Sequence, residues 1–190
     1  MDREPVETLI APSAEPITVA KLKARLRLND ASEDDSLAEF ITASRELFEL
    51  TTGRAILPTT FRQFSTAFPV KLQRGKVISV SSVTYYDPTD TLQTLTGWSL
   101  DNAAPVASVY LPNATYPALS TKRTRPILVE FVAGWATVGA VPQTIKEAIT
   151  LLASHYYANR EAFRDGSLEE LPIGWNAICD QYSTGLTWSA

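Results

Sequence analysis

The spacing of apolar and polar positions changes character twice along the chain. Residues 1–17 carry Pro5, Pro12 and Pro16 with few apolar anchors, and read as an extended arm. Thr18 then stands where a helix N-cap belongs. Val19, Leu22 and Leu26 follow at spacings of three and four, which predicts a helix over 18–28. Lys21, Lys23, Arg25 and Arg27 fill its other faces. They read as a solvated basic face or as a surface for an acidic partner or DNA.

Asn29-Asp30-Ala31 breaks the pattern. Ser32 is expected to cap a second helix over 33–52, in a Ser-x-x-Asp spacing with Asp35 that resembles a capping box. Glu33, Asp34 and Asp35 in the first turn answer the positive end of the helix dipole. They make a poor metal site, because consecutive residues on one turn point in different directions. The apolar stripe is Leu37, Phe40, Ile41, Ser44, Leu47 and Phe48, and Gly53 is the expected stop.

From 54 to 136 a period of two replaces the helical one. β-Branched and aromatic residues become common, and strands are predicted over 59–68, 77–86, 91–100, 106–111 and 127–133. The last of these is apolar at nearly every position except Glu130, as in a strand covered on both faces. Asp87-Pro88-Thr89-Asp90 is turn chemistry, and four residues of loop type punctuate 112–126 (Pro112, Asn113, Pro117, Pro126). Pro142 then opens a long helix over 142–163. Its stripe is Ile145, Ile149, Leu152, Tyr156 and Phe163, widened by Ala148 and Leu151. A short helical piece begins at Leu171-Pro172, with Trp175, Ile178 and Tyr182 on one side. The fold class is therefore α+β: N-terminal helices, an inserted small antiparallel β-layer, and a long C-terminal helix with a docking tail.

Composition narrows the function. The 190 residues are 45% hydrophobic and 20% charged, which suits a packed domain. The net charge of -4 argues against tight, sequence-independent DNA binding, which needs many cations to displace counterions. Cys179 is the only cysteine, so no disulfide framework exists within the chain. The first residues lack the basic-then-apolar order of a signal peptide, and no apolar run approaches the length of a membrane span. The expectation is a soluble protein made in the cytoplasm, with no membrane partner.

Candidate chemistry is sparse. The chain has one histidine, His155, so a His-based zinc site would need other ligands. A Cys179–His155 nucleophile pair is formally available, but Cys179 sits in an amphipathic piece where a buried, inert thiol is the default. No nucleophile elbow, phosphate-binding loop or dinucleotide fingerprint occurs. No catalytic residue, metal ligand or cofactor site is assigned. Two features ask for more. Lys122-Arg123-Thr124-Arg125 is the densest basic run; it reads as an ordinary solvated patch or, alternatively, as a loop whose Lys122, Arg123 and Arg125 lie near a polyanion. Trp175 and Trp188 lie in a C-terminal stretch that reads equally as packing within the chain or as docking onto a partner, since tryptophan is enriched where one protein grips another.

The order of these signals resembles the head–tail connector proteins of tailed bacteriophages, prophages and gene transfer agents, also called adaptor or head-completion proteins. The stretches that carry the resemblance are Ile17 to Lys23, Asp34 to Arg45, Thr51 to Pro58, Val77 to Asp87, Val129 to Trp135, Val141 to Ile149 and Leu171 to Tyr182. They span most of residues 17–182. The family's closing segment commonly ends on a Tyr-Arg pair, whereas here Tyr182 is followed by Ser183.

The resemblance implies a structural virion protein at the head–tail interface. It would bind the portal after DNA packaging, self-associate into a ring, dodecameric on the portal, and extend the DNA channel. It would also offer a platform to a neck or tail-completion protein, with double-stranded DNA passing through without sequence specificity. The implied organisation is an arm (1–17), a connector domain (18–163) and a docking segment (164–190). Trp175, Ile178, Tyr182, Leu186 and Trp188 are the expected portal contacts. The alternative is a cytosolic enzyme with a pocket in the β-region. A carbohydrate-binding β-module, suggested by four Trp and seven Tyr, is a third reading.

Overall fold

The computed structural model describes residues 4–159 and 174–185. The chain divides into two compact units, Met1–Pro12 with Gly53–Ala136, and Ser13–Thr52 with Thr137–Ala190.

The first unit holds eight strands among the described residues: β1 (Val6–Ile10), β2 (Thr59–Ser65), β3 (Val70–Lys71), β4 (Val77–Tyr86), β5 (Leu92–Thr94), β6 (Ser99–Asp101), β7 (Ser108–Tyr110) and β8 (Ile127–Ala133). They form a five-stranded sheet in the order β1-β2-β8-β4-β5 and a three-stranded sheet in the order β3-β7-β6. Every pairing is antiparallel. The β-region is thus larger than the small layer read from sequence. Phe61, Val83, Val129 and Phe131 from the large sheet share one apolar core with Val70 and Val109 from the small one. Phe61 and Phe131 are direct register partners with ring centroids 5.6 Å apart.

The central strand β8 corrects another expectation. Its positions alternate between buried and half-buried, so one face only is sealed. Glu130 explains the open face. It accepts from Arg62 at 2.7 Å on the neighbouring strand, and a charged pair of this kind keeps contact with water.

The segment read as an arm contains β1, which pairs with β2. Its anchor is polar rather than apolar. The Glu4 carboxylate accepts from Gln63 Nε2 at 2.6 Å, from Ser65 Oγ at 2.6 Å and from the Thr66 amide at 3.1 Å. Gly134 shows how tightly the sheet meets the 55–58 segment. A Cβ there would collide with the Leu57 carbonyl group, and its φ of +128° lies where other residues are strained.

The second unit holds α1 (Val19–Leu26), α2 (Asp34–Thr52), α3 (Gln143–Ala158) and α4 (Trp175–Tyr182). Thr18 caps α1 as expected, its hydroxyl accepting from the Lys21 amide at 3.2 Å. Ser32 does not cap α2. Its amide and hydroxyl both donate to Asp30, so a local Asx turn takes the hydroxyl that a capping box would need. Leu37, Ile41, Ser44, Phe48 and Thr52 face the core of α2, and Arg45 is buried with them. Phe40 and Leu47 are half-buried. Gly53 ends the helix with φ of +70°. Ile145, Ala148, Ile149 and Leu152 are the matching buried face of α3. Residues 160–163 of the expected helix lie outside the described residues.

Candidate docking surfaces

Three of the five residues expected to grip a partner, Trp175, Ile178 and Tyr182, sit on α4. Gly174 precedes the helix with φ of +92°, a conformation that glycine adopts freely. Trp175 is 1% exposed, and its ring meets Phe48 edge-on at 5.8 Å. Tyr182 lies 6.3 Å from the same Phe48 ring, and its hydroxyl shares a 2.6 Å hydrogen bond with Thr144. Ile178 is half-buried beside the helix's sealed face, which consists of Trp175 and Cys179. The structure therefore brings Trp175 and Tyr182 together around Phe48, within the unit. After α4, Thr184 donates from its amide (2.9 Å) and its hydroxyl (3.2 Å) to the Thr52 carbonyl. Thr184 thus donates twice to a carbonyl in the last turn of α2, where helix carbonyls look for partners outside the helix. Leu186 and Trp188 lie outside the described residues.

The basic run at 122–125 is built on a hairpin tip. Asp87 accepts from the Thr89 hydroxyl at 2.6 Å, from the Thr91 amide at 3.1 Å and from Gln93 at 2.9 Å. These bonds, that from Thr89 first, hold its carboxyl down at about 2. Asp90 adopts a positive φ of +67° and turns its carboxylate to the loop. There it accepts from Arg123 at 2.7 and 3.2 Å and from Ser120 at 3.0 Å. The fork from Arg123 is the main reason that the Asp90 carboxyl lies below its ordinary range. The Arg123 guanidinium also lies 3.5 Å above the Tyr86 ring. Arg123 is thus tied to Asp90 and Tyr86. Lys122 is exposed, and Arg125 is half-buried with its Nε sealed from water and without a hydrogen-bond partner among the described residues.

The basic face of α1 is partly answered within its own unit. Lys23 meets Asp34 at 2.7 Å, Arg25 meets Glu147 at 3.3 Å and Lys21 meets Glu147 at 3.8 Å. The Glu33 carboxylate of the acidic trio accepts from Tyr157 at 2.8 Å.

The groups that could carry chemistry are dispersed. Burial pushes the Cys179 thiol up to about 12, so it holds its proton across the physiological range. His155 lies beside Asn159, 3.1 Å from its amide nitrogen. The β-unit has an open groove of about 560 Å³ lined by Tyr85, Leu95, Gly97, Asn113, Tyr116 and their neighbours. No carboxylate, histidine, lysine, arginine or thiol lines it, and its titratable groups are the phenols of Tyr85 and Tyr116. Among the described residues no three His, Cys, Asp or Glu side chains cluster as a metal site. Among them, too, no helix is long and apolar enough to cross a membrane.

Neither a protein-family model nor a curated protein matches the chain. Solved structures do. One match is a chain in the neck of an empty gene transfer agent particle computed with C6 symmetry. It has a TM-score of 0.78 and 23% identity, over 98% of this chain and 97% of that one. A chain in the virion of a native gene transfer agent particle matches with a TM-score of 0.76 and 23% identity, over 97% and 96% of the two chains. A chain in the neck of a native particle computed with C12 symmetry matches with a TM-score of 0.74 and 22% identity, over 100% and 97%. The fold is shared end to end with these chains.

Proposed function

We propose that this chain is a structural subunit of the neck of a phage-like particle of the gene transfer agent kind. It acts as a head–tail connector that assembles into a ring and has no enzymatic role. The observation that carries this reading is the end-to-end match, 98% of one chain on 97% of the other, to a chain in a gene transfer agent neck. A shared fold alone does not assign function. Here the fold agrees with an independent ordering of sequence stretches from Ile17 to Tyr182. The C6 and C12 symmetries of the matching necks support a ring, which head-to-tail contacts close by rotation.

In this reading the ring, dodecameric on the portal, extends the DNA channel and presents its far side to a neck or tail-completion protein. A mildly acidic subunit suits that task, because a strongly basic lining would hold DNA by counterion release. Within this run Arg123 is held by Asp90 and Arg125 is half-buried, so the exposed Lys122 is the cation we place nearest to passing DNA. Portal contact is assigned to the segment 164–190. Trp175 and Tyr182 pack on Phe48 within the unit, so of the five expected contacts we assign Ile178, Leu186 and Trp188 to the partner.

The enzyme reading had placed its pocket in the β-region. The groove found there offers hydroxyls, an amide and the phenols of Tyr85 and Tyr116 but no carboxylate, imidazole, amine or thiol to activate them, so it lends that reading little. Electron microscopy of particles made without this chain tests the proposal. Filled or leaking heads beside detached tails are expected, and normal tailed particles would overturn it. Truncation after Gly185 refines the test: the shortened chain should fold and bind portal weakly, and undiminished binding would remove the tail from the contact.

A further inference from the structure

The outward face of α2 lies opposite its core face and carries Asp35, Glu39, Ala43, Glu46 and Leu50, at spacings of four, four, three and four. All five are exposed. The stripe runs roughly 22 Å along the helix, at 1.5 Å per residue. Among the described residues Asp35 and Glu39 make no ion pair, and Glu46 reaches only the fringe of the Arg45 guanidinium at 3.5 Å. Asp35 answers the helix N-terminus and Glu46 lies near Arg45, but Asp35 and Glu39 repel one another at four residues' spacing, and the face stays acidic and open with an exposed leucine at its end. The arrangement makes sense if something basic covers it.

The same unit carries the complement. α1 seals Leu22 and turns Ala20 and Ala24 outward, flanked by Lys21, Arg25 and, just past the helix, Arg27. Glu147 answers Lys21 and Arg25 together, which leaves a surplus of two positive charges on this surface. The two alanines keep the helix low in profile, so a second helix can approach closely while the cations reach around it.

We infer that α1 of one copy packs across the acidic stripe of α2 on the next copy, and that this is the head-to-tail contact of the ring. The inference rests on the ring reading given above and names the surfaces that close it. A heterologous contact needs two different, complementary patches on one chain, and these two differ in charge and in element. Opposed exposed charges set register and speed encounter more than they add affinity, which suits assembly on a template.

The test uses particles from producing cells in which a variant replaces the chain, with copies per particle counted by quantitative mass spectrometry. Reversing the stripe (Asp35→Lys, Glu39→Lys, Glu46→Lys) is expected to lower incorporation at least ~tenfold, through like-charge opposition. Reversing the other patch (Lys21→Glu, Arg25→Glu, Arg27→Glu, with Glu147→Lys to keep the internal bridges) should do the same. A chain with both reversals restores opposite charge at every contact and should regain incorporation. Wild-type incorporation of either single reversal, or no recovery in the combination, overturns the inference. If the reversed chains fail to fold, judged by circular dichroism, the neutral set Asp35→Asn, Glu39→Gln, Glu46→Gln takes their place. It should give an intermediate loss, and none would overturn the contact. If the wild-type chain is absent from particles, the ring reading itself falls and this contact with it.

Discussion

Arg45 Nε donates to Glu15 Oε2 at 2.8 Å, joining the chain ahead of α1 to the buried face of α2. The Arg45 side chain is nearly sealed, while Glu15 keeps partial contact with water. Burial works against the arginine's charge, yet Glu15, Glu49 and Glu46 outweigh it and hold its pKa above the ordinary value. Removing the cation leaves carboxylates facing each other in a half-dry site. Arg45→Ala is therefore expected to cost about 3 kcal/mol, the low end for a broken buried pair, since both principal acids retain some solvent. Glu15→Gln should cost about 1 kcal/mol, because the amide oxygen still accepts. Urea denaturation of the single and double variants checks this. An Arg45→Ala loss within ~0.5 kcal/mol of zero would show the cluster to be ornamental.

This pair marks where the sequence was readable and where it was not. The α2 stripe of Leu37, Ile41, Ser44 and Phe48 followed from spacing alone, as did the strands Val77–Tyr86 and Ile127–Ala133. Local periodicity reports local structure. Arg45 was invisible because its partners Glu15 and Glu49 lie thirty residues before it and four after it, and nothing local marks a buried cation. The Asp-rich hairpin tip read correctly as a turn, but its grip on Arg123 depends on a loop thirty-three residues away. β1 escaped for a related reason: its anchor Glu4 bonds to Gln63 and Ser65 on the far side of the helices in sequence. The docking residues were the least legible. Trp175 at the head of an amphipathic turn reads equally as core or as contact, and the choice is made by Phe48, 127 positions earlier.

Asp87 gives a pH dependence with a definite sign. Its carboxyl lies at about 2 in the fold against an ordinary 3.8, because the Thr89 hydroxyl, the Thr91 amide and Gln93 all donate to its ionised form. A depressed folded pKa means stability that is present above pH 3.8 and is lost as pH falls towards 2. The hairpin tip should therefore loosen between those values. Asp87→Asn should remove this increment of acid sensitivity while lowering stability at neutral pH. Amide exchange of residues 89–93, followed down the pH scale and corrected for intrinsic rates, reads it directly. An unchanged acid profile in the variant would mean that the three bonds do not favour the ionised form.

Trp175 decides between a side chain kept for a partner and one committed to the fold. With 1% of its surface exposed and its ring edge-on to Phe48 at 5.8 Å, it belongs to the second class. Trp175→Ala should then cost about 3–5 kcal/mol, the usual loss for a large buried aromatic. Trp175→Phe keeps part of the contact and should cost less. Thr184→Val removes both the hydroxyl bond to Thr52 and part of the lock on the end of α2, and should cost about 1 kcal/mol. Truncation after Gly185 keeps the Trp175, Tyr182 and Thr184 contacts, and on this reading leaves the fold intact. Denaturant midpoints of the four variants separate the roles. A stable Trp175→Ala chain that nevertheless loses portal binding would return Trp175 to the interface. A destabilised one beside a stable truncation confines docking to what lies beyond Gly185 and to the exposed turns of α4.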